Sequence, residues 1–260
     1  MKVTAVIPAY TEEETVSRVV SESKRYVDEV IVVDDGSVDE TFVEAQEAGA
    51  LVLAHQKNKG KGEALRTGFK RALELGADVI VTLDADAQHD PNEIPKLLLP
   101  IIEANADVVV GSREKQGMPW IRRLSNALAT MCLRFLGLKL LDTQCGFRAW
   151  TSKALETVQT QAPRYVAESA MLLQAHNKGF RIVGVPITTI NAAKSSISPI
   201  RDTVQFLDFT LKELFASLRI SKAFGKLASL LYPIIPNAVS LYYAIAFVNA
   251  KQDRGLQNED

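Results

Sequence analysis

Short apolar runs alternate with amphipathic helical patterns through the N-terminal part of the chain. The runs have the length and the Val and Ile content of β-strands, which we predict at residues 3–7, 29–33, 50–54, 78–83 and 107–110. The segments between them predict helices, among them EEETVSRVVSESKRY and KGEALRTGFKRALELG, the second with Gly76 as its C-terminal cap. This alternation predicts an α/β fold, a mostly parallel sheet with helices on both faces.

The alternation becomes irregular beyond Gly111. A basic amphipathic helix is predicted for PWIRRLSNALATMCLRFLG, which is followed by DTQCGFRAW, by YVAESAMLLQAHNKG and by the strand-like FRIVGVPITTI. A final amphipathic helix is predicted for residues 199–218.

A long uncharged segment, LASLLYPIIPNAVSLYYAIAFV, occupies residues 227–248. Its length is enough to cross a bilayer, but Pro233 and Pro236 in its middle break a simple spanning helix. We expect either an interfacial or re-entrant helical pair at a membrane, or a buried hairpin or dimer contact.

The composition narrows the classes of partner. A chain of 260 residues with 47% hydrophobic content buries a substantial core. Because 30 Lys and Arg balance 31 Asp and Glu, the net charge of -1 gives no global field that attracts nucleic acid. Cys132 and Cys145 lack zinc-site spacing and make no disulfide framework, which predicts apolar fillers in a reducing cytoplasm.

Polar residues follow three of the predicted strands at their carboxyl ends. In open α/β sheets this edge carries the ligand site. The residues are Pro8, Tyr10 and Glu12 after the first strand, Asp34 and Asp35 after the second, and Asp84 and Asp86 after the fourth.

The stretch LDADAQHDP predicts a cation site. If the strand continues to Asp86, then Asp84 and Asp86 share one face. Two carboxylates there suit a hard divalent cation that also binds phosphate oxygens, with Gln88 or His89 completing the shell. The alternative is a solvated acidic turn, because Asp and Pro are ordinary turn residues.

The stretch IVVDDGSVDET predicts a tight turn after a buried strand, with Asp39 capping the next helix. Its adjacent acids suit a ribose or a base edge, although a receiver domain also gathers acids at strand ends. Neither a dinucleotide fingerprint nor a P-loop is present. The nearest equivalent is NKGKGEA, where Lys59 and Lys61 lie either near a diphosphate or in solvent.

Six motifs together resemble one family. IPAYTEEE, VVDDGSVDET, NKGKGEA, LDADAQHDP, GSR and DTQCGFR occur in the order and spacing of the family 2 glycosyltransferases with the GT-A fold. Within that family the chain is similar to the polyprenyl-phosphate (dolichyl-phosphate) mannose and glucose synthases. The resemblance covers residues 1–215.

The resemblance implies a division of the chain and two groups of donor-binding residues. Residues 1–220 would form the transferase domain, with a nucleotide-sugar half (1–112) and an acceptor half (113–220), followed by a membrane-associating or dimerising segment (221–260). The donor-binding residues would be Pro8, Tyr10, Glu12, Asp35 and Lys61 for the nucleotide sugar, and Asp84, Asp86 and Gln88 for Mg2+ or Mn2+ held with the sugar diphosphate.

The acceptor is predicted from the basic residues. A hydroxyl acceptor needs a general base, whereas an ionised phosphate acceptor needs cations that hold it beside the donor diphosphate. The catalytic candidates are Asp86, Arg113 and Arg148. The candidates for the acceptor phosphate are Arg113, Arg122, Lys194 and Ser195, and the guanidinium forks of Arg123 and Arg148 also match phosphate oxygens. The helix that carries Arg122 and Arg123 is expected to lie at a membrane surface.

We therefore expect a metal-dependent, inverting transfer of mannose from GDP-mannose, or of glucose from UDP-glucose, to a polyprenyl phosphate at the cytoplasmic membrane face. The alternatives are a transferase to a glycan hydroxyl, with Glu168 or Asp142 as base, and a catalytically weak nucleotide-sugar-binding protein. A homodimer is compatible with the sequence.

The chain departs from the family pattern at three places. Thr11 stands where Asn is common, and Ala170 replaces the second acid of an E-S-E pattern that begins at Glu168. Before Lys194 and Ser195, Asn191 and Ala192 replace an aromatic or arginine and a glycine. The change at Ala170 predicts low activity or altered specificity.

Overall fold

The computed structural model describes residues 1–113, 126–127, 130–131, 133–134, 136–138, 140–158, 166–188 and 190. The strands are β1 (Val3–Ala9), β2 (Glu29–Asp34), β3 (Leu51–Ala54), β4 (Val79–Thr82), β5 (Val108–Arg113), β6 (Arg148–Thr151) and β7 (Ile182–Ile187). The helices are α1 (Val16–Ser23), α2 (Thr41–Glu47), α3 (Lys61–Glu74), α4 (Ile94–Ile102), α5 (Ser152–Thr157) and α6 (Val166–Asn177), with a 3-10 turn at Pro91–Glu93. Residues 126–127, 130–131 and 133–134 are also helical.

The seven strands form one sheet in the order β3-β2-β1-β4-β6-β5-β7. All neighbouring strands are parallel except β6, which pairs antiparallel with both β4 and β5. The predicted α/β class and mostly parallel sheet are confirmed, and each predicted strand overlaps an observed one. The antiparallel β6, which was not predicted, lies inside the sheet between β4 and β5.

The strand order reverses after β3, because β4 returns to the other side of β1. Since βαβ crossovers are right-handed, α1 and α2 cover one face and α3 covers the other. Helix α3 packs closely on β1 and β2 because it carries glycine at position 68, where a Cβ would lie 2.3 Å from the side chain of Val6. The point of reversal places the carboxyl ends of β1 and β4 side by side, where open α/β sheets bind ligands.

Helix α3 ends as the sequence predicts. Gly76 has a φ of +75° and its N–H donates to the carbonyl of Leu73, while the N–H of Ala77 donates to that of Ala72. This pair of bonds is the Schellman arrangement, which satisfies carbonyls at the end of the helix and needs the left-handed residue that glycine provides.

The chain divides into two compact units, Met1–Thr203 and Val204–Asp260, and all described residues belong to the first. Within that described part, no helix has both the length and the apolar character needed to cross a membrane. The predicted apolar segment at 227–248 and the predicted amphipathic helix at 199–218 lie outside the described residues.

Candidate active site

The first residue of α3 reaches the acids at the edge of the sheet. The Nζ atom of Lys61 lies 2.5 Å from Oδ1 of Asp84 and 3.2 Å from Oε2 of Glu168. Burial would lower the pKa of Lys61, but the two carboxylates outweigh it and raise the pKa. Burial would raise the pKa of Asp84, but Lys61 outweighs it and the pKa is well below its usual range. The acidic stretch therefore has a resident countercharge from the protein itself.

Gly146 allows this cluster to close. A Cβ at position 146 would lie 2.9 Å from Nζ of Lys61 and 3.0 Å from Oδ2 of Asp84. The hydroxyl of Thr82, at the end of β4, donates to the carbonyl of Gly146 at 2.8 Å. The DTQCGFR motif can therefore lie against the LDADAQHDP motif, because its residue Gly146 has no side chain.

His89 fixes the backbone of Asp84 from the interior. The N–H of Asp84 donates to Nδ1 of His89 at 3.2 Å, and Nε2 lies 3.8 Å from Sγ of Cys145. Burial lowers the pKa of His89 to about 4 and raises the pKa of the Cys145 thiol to about 12. Both groups are therefore neutral near pH 7, and Cys145 is the buried filler that the sequence predicts.

Asp86 and Gln88 lie in a turn and not on a strand. Strand β4 ends at Thr82, so the condition under which Asp84 and Asp86 would share a strand face is not met. Ala87 has a φ of +57°, and the N–H of Gln88 donates to Oδ1 of Asp86 at 3.0 Å. The described residues contain no group of three or more His, Cys, Asp and Glu side chains arranged to hold a metal.

Glu12 links the end of β1 to the same acidic edge. Burial raises the pKa of Glu12; the hydroxyl of Thr15 opposes this, and the charges of Asp86 and Asp84 add to it. The half-buried Pro8 and the exposed Tyr10 precede it at the same strand end. The predicted clustering of this strand end with Asp84 and Asp86 is therefore present in the structure.

Asp35 is engaged by the protein's own donors. Its carboxylate accepts hydrogen bonds from the N–H of Lys59 at 2.9 Å and of Gly60 at 2.6 Å, and Oδ1 lies 2.7 Å from Nδ1 of His55. Asp35 is buried and holds the NKGKG turn, which in turn starts α3 at Lys61. Its nucleotide contact stays a prediction, and its observed role is to position Lys61.

The neighbouring turn joins the first two motifs. Ser37 donates through its N–H and hydroxyl to Oδ1 of Asp34, and its Oγ accepts the N–H of Thr11 at 2.9 Å. Thr11 has a φ of +59°. Asp39 is not the N-cap residue that the sequence predicts, because that position is Glu40; Oδ1 of Asp39 instead accepts from the N–H and the hydroxyl of Thr41, the first residue of α2.

Arg113 ends β5 and pairs with Asp142. Its Nε lies 2.7 Å from Oδ2 and its Nη2 lies 3.2 Å from Oδ1, a two-point contact between largely buried groups. Burial would raise the pKa of Asp142, but Arg113 outweighs it and lowers the pKa. Arg113 also contributes to the low pKa of Asp84, so this cation lies close to the acidic edge.

Arg148 does not fit its predicted place beside an acceptor phosphate. Its side chain is fully buried and its guanidinium donates to the carbonyls of Cys145 at 2.8 Å, Glu168 at 2.6 Å and Thr143 at 3.1 Å. The physical reason is that Arg148 starts the central strand β6, so its side chain lies in the interior. Arg148 therefore braces the DTQCGFR loop against α6.

Several predicted acceptor residues lie outside the described residues. They are Arg122, Arg123, Lys194 and Ser195. Ala170 is described and buried in α6, two residues from Glu168. The roles of Gly146 and His55 were not predicted. The signals for them were a glycine inside the DTQCGFR motif and a histidine directly after a predicted strand.

The sequence matches a family of known proteins. Residues 4–157 match the family described as glycosyl transferase family 2. A UDP-N-acetylglucosamine–dolichyl-phosphate N-acetylglucosaminyltransferase of Methanococcus voltae is 38% identical over 212 residues, which cover 71% of this chain and 84% of that protein. A polyprenol monophosphomannose synthase of Mycolicibacterium smegmatis is 33% identical over 220 residues, 76% of this chain and 83% of that one.

The fold also matches solved structures. Glucosyl-3-phosphoglycerate synthase from Mycobacterium tuberculosis, in complex with Mn2+, uridine diphosphate and phosphoglyceric acid, superposes with a TM-score of 0.65 at 23% identity. The match covers 81% of this chain and 77% of that chain, and confirms the predicted GT-A fold. From its family match, its relatives and its fold, the chain belongs to glycosyltransferase family 2.

Proposed function

We propose that this chain transfers a sugar from a nucleotide diphosphate sugar to a polyprenyl phosphate. The observation that carries the proposal is the placement of two cations, Lys61 and Arg113, near Asp84 at the carboxyl edge of the sheet. A reaction between two anions, a donor diphosphate and an acceptor phosphate, needs such cations close together. The similar proteins that are named for dolichyl and polyprenol phosphates support this acceptor.

A divalent cation, Mg2+ or Mn2+, fits the donor set. Asp84 and Asp86 supply hard carboxylate oxygens, and Mg2+ is commonly held by one or two carboxylates together with substrate phosphates and water. The absence of a larger ligand cluster among the described residues agrees with a site that the diphosphate completes. When bound, the metal would neutralise charge on the leaving nucleoside diphosphate.

The remaining roles in donor and acceptor binding would belong to different residues of the chain. Pro8, Tyr10 and Glu12 line the nucleotide end, Lys61 supplies positive charge beside Asp84, and Arg113 holds the acceptor phosphate. Asp142 orients Arg113, while Arg148 supports the loop that carries Gly146. Direct attack by the phosphate would invert the anomeric configuration, and positioning would supply most of the rate.

A hydroxyl acceptor is less compatible with the site. Its general base would be Glu168 or Asp142, and each of these carboxylates is paired with a cation, Lys61 in the first case and Arg113 in the second. Arg113 lowers the pKa of Asp142, which makes this carboxylate a poor proton acceptor, and Glu168 is engaged in its contact with Lys61. The phosphate acceptor, which needs no base, is therefore preferred.

The donor sugar is proposed as a hexose or an N-acetylhexosamine. The sequence resemblance indicates GDP-mannose or UDP-glucose, and the named donor of the Methanococcus voltae relative adds UDP-N-acetylglucosamine. We place the reaction at the cytoplasmic face of the membrane, where nucleotide sugars are made, with the 221–260 segment as the membrane contact.

The test is incubation with each of the three labelled donors, polyprenyl phosphate and Mg2+ or Mn2+, followed by counting label in the organic phase. We expect label with one donor, and loss of more than about a hundredfold in Asp84→Asn because the donor diphosphate loses its anchor. Asp78→Asn is the matched control and should keep the rate. Asp78 is an exposed acid that directly precedes β4, whereas Asp84 follows the other end of this strand. Metal-dependent donor binding without lipid label would favour a sugar-nucleotide sensor, and no binding at all would refute the proposal.

A further inference from the structure

Lys61 lies beside Asp84, in the position where a metal-binding carboxylate normally holds its cation. Its ammonium is 2.5 Å from one oxygen of Asp84 and also contacts Glu168, so it is held by two acids from different elements. The lysine is largely buried, and its position is fixed at the start of α3 by the turn that Asp35 holds. This ion pair is therefore a built part of the ligand-free site.

A second cation at the same carboxylate would be opposed by this ammonium. Like charges a few ångströms apart repel strongly where water is partly excluded, and the side chain of Asp84 is only 28% exposed. Gly146 also lies directly against the pair, because a Cβ at this position would be 2.9 Å from Nζ of Lys61 and 3.0 Å from Oδ2 of Asp84. The cluster has little room for Lys61 to stay in place while another cation binds.

We infer that Lys61 is an exchangeable internal cation: it holds Asp84 when the site is empty, and leaves Asp84 for the donor diphosphate when a divalent cation binds there. Glu168 keeps contact with the ammonium during this movement. The inference rests on the proposed function for the identity of the diphosphate, and it adds a mechanism by which metal and donor bind together.

Two consequences follow from the charges. Metal alone binds weakly, because the displaced ammonium loses Asp84 and keeps only Glu168 as a counter-charge. Metal with a nucleoside diphosphate binds much more strongly, because the diphosphate compensates both cations, and by linkage the two ligands strengthen each other equally. Removal of the lysine charge should raise the affinity for metal alone and reduce this coupling.

The experiment measures binding of Mn2+ by its electron paramagnetic resonance signal, with and without UDP or GDP. We expect Lys61→Gln to bind Mn2+ alone about tenfold more tightly than the unaltered protein, as removal of a neighbouring like charge predicts. The increase in Mn2+ affinity caused by the nucleotide should shrink by about the same factor in this variant. Lys61→Arg keeps the charge and should retain weak binding of metal alone.

The controls separate this inference from other effects. Lys70→Gln removes the same charge from an exposed position of α3 and should leave Mn2+ binding unchanged. Far-ultraviolet circular dichroism shows whether each variant is folded, and Lys61→Met, which also lacks the charge, replaces Lys61→Gln if that variant does not fold. Equal Mn2+ affinity in Lys61→Gln and the unaltered protein would overturn the inference. The Mn2+-binding experiment uses neither an acceptor nor sugar transfer. A negative result in it would therefore leave the lipid-labelling test of the proposed function valid.

Discussion

The guanidinium of Arg113 and the carboxylate of Asp142 meet through two hydrogen bonds, of 2.7 and 3.2 Å. The pair connects the end of β5 to the loop that precedes β6, and both side chains are largely shielded from water. It is therefore both a structural tie and the device that orients a cation toward the acidic edge.

Removal of the carboxylate should destabilise the protein. Asp142→Asn leaves Arg113 without its counter-charge in a largely buried place, and we expect a loss of about 3 kcal/mol in the free energy of unfolding. Urea denaturation measures this loss. Asp107→Asn is the matched control, because Asp107 makes a similar two-point contact with the exposed Arg181, so its replacement should cost much less stability. Equal losses in the two variants would contradict the buried role of the Arg113 pair.

The contribution of this pair should depend on pH in one direction. Asp142 has a lower pKa in the folded protein than in the unfolded chain, where it is about 3.9. Its stabilising effect is therefore present above that value and is lost as the pH falls through the folded pKa. The stability difference between the unaltered protein and Asp142→Asn should be constant from pH 7 to about 5 and should shrink below about pH 4. A difference that persists unchanged to about pH 2 would show that the charge is not responsible.

Arg148 should act through stability and not through contact with substrate. Arg148→Lys cannot reproduce three guanidinium bonds to carbonyls and leaves some of these carbonyls without a donor. We expect a loss of about 2–4 kcal/mol in the ligand-free protein, measured by urea denaturation. A variant with normal stability but no transfer activity would instead support the original expectation that Arg148 contacts the acceptor phosphate.

Thr11 should be a site where a substitution stabilises the protein. A β-branched residue at a φ of +59° is strained, and Asn accepts this left-handed conformation more readily. We expect Thr11→Asn to increase the free energy of unfolding by about 1 kcal/mol, measured by thermal and urea denaturation. Thr11→Val keeps the β-branch and should give no gain. The prediction fails if Asn and Val behave alike.

The sequence predicted the parallel part of the fold because its strands are dense in Val and Ile and are separated by amphipathic helices. It also placed Asp84, Asp86 and Glu12 together, since the carboxyl ends of neighbouring parallel strands share one edge. Strand β6 escaped prediction because RAWT is short and antiparallel pairing with β4 and β5 depends on contacts distant in sequence.

The misplacement of Arg148 follows from the same cause. A motif cannot tell whether a guanidinium faces a cleft or the interior, although the apolar neighbours Phe147, Ala149 and Trp150 were a signal for a buried strand. The partners of Lys61 and Asp35 were likewise not predictable. They come from α6 and from the NKGKG turn, whose distances from the acids depend on the assembled sheet.

The position of β6 between β4 and β5 sets the order in which the sheet can be completed. During synthesis, β1 to β4 can pair as soon as they emerge, but β5 meets none of its strand neighbours until β6 and β7 have been made. The apolar residues of β5 therefore stay exposed while the chain between β5 and β6 is synthesised. Such a delay slows folding and favours aggregation, so the nascent chain would benefit from a chaperone during that interval.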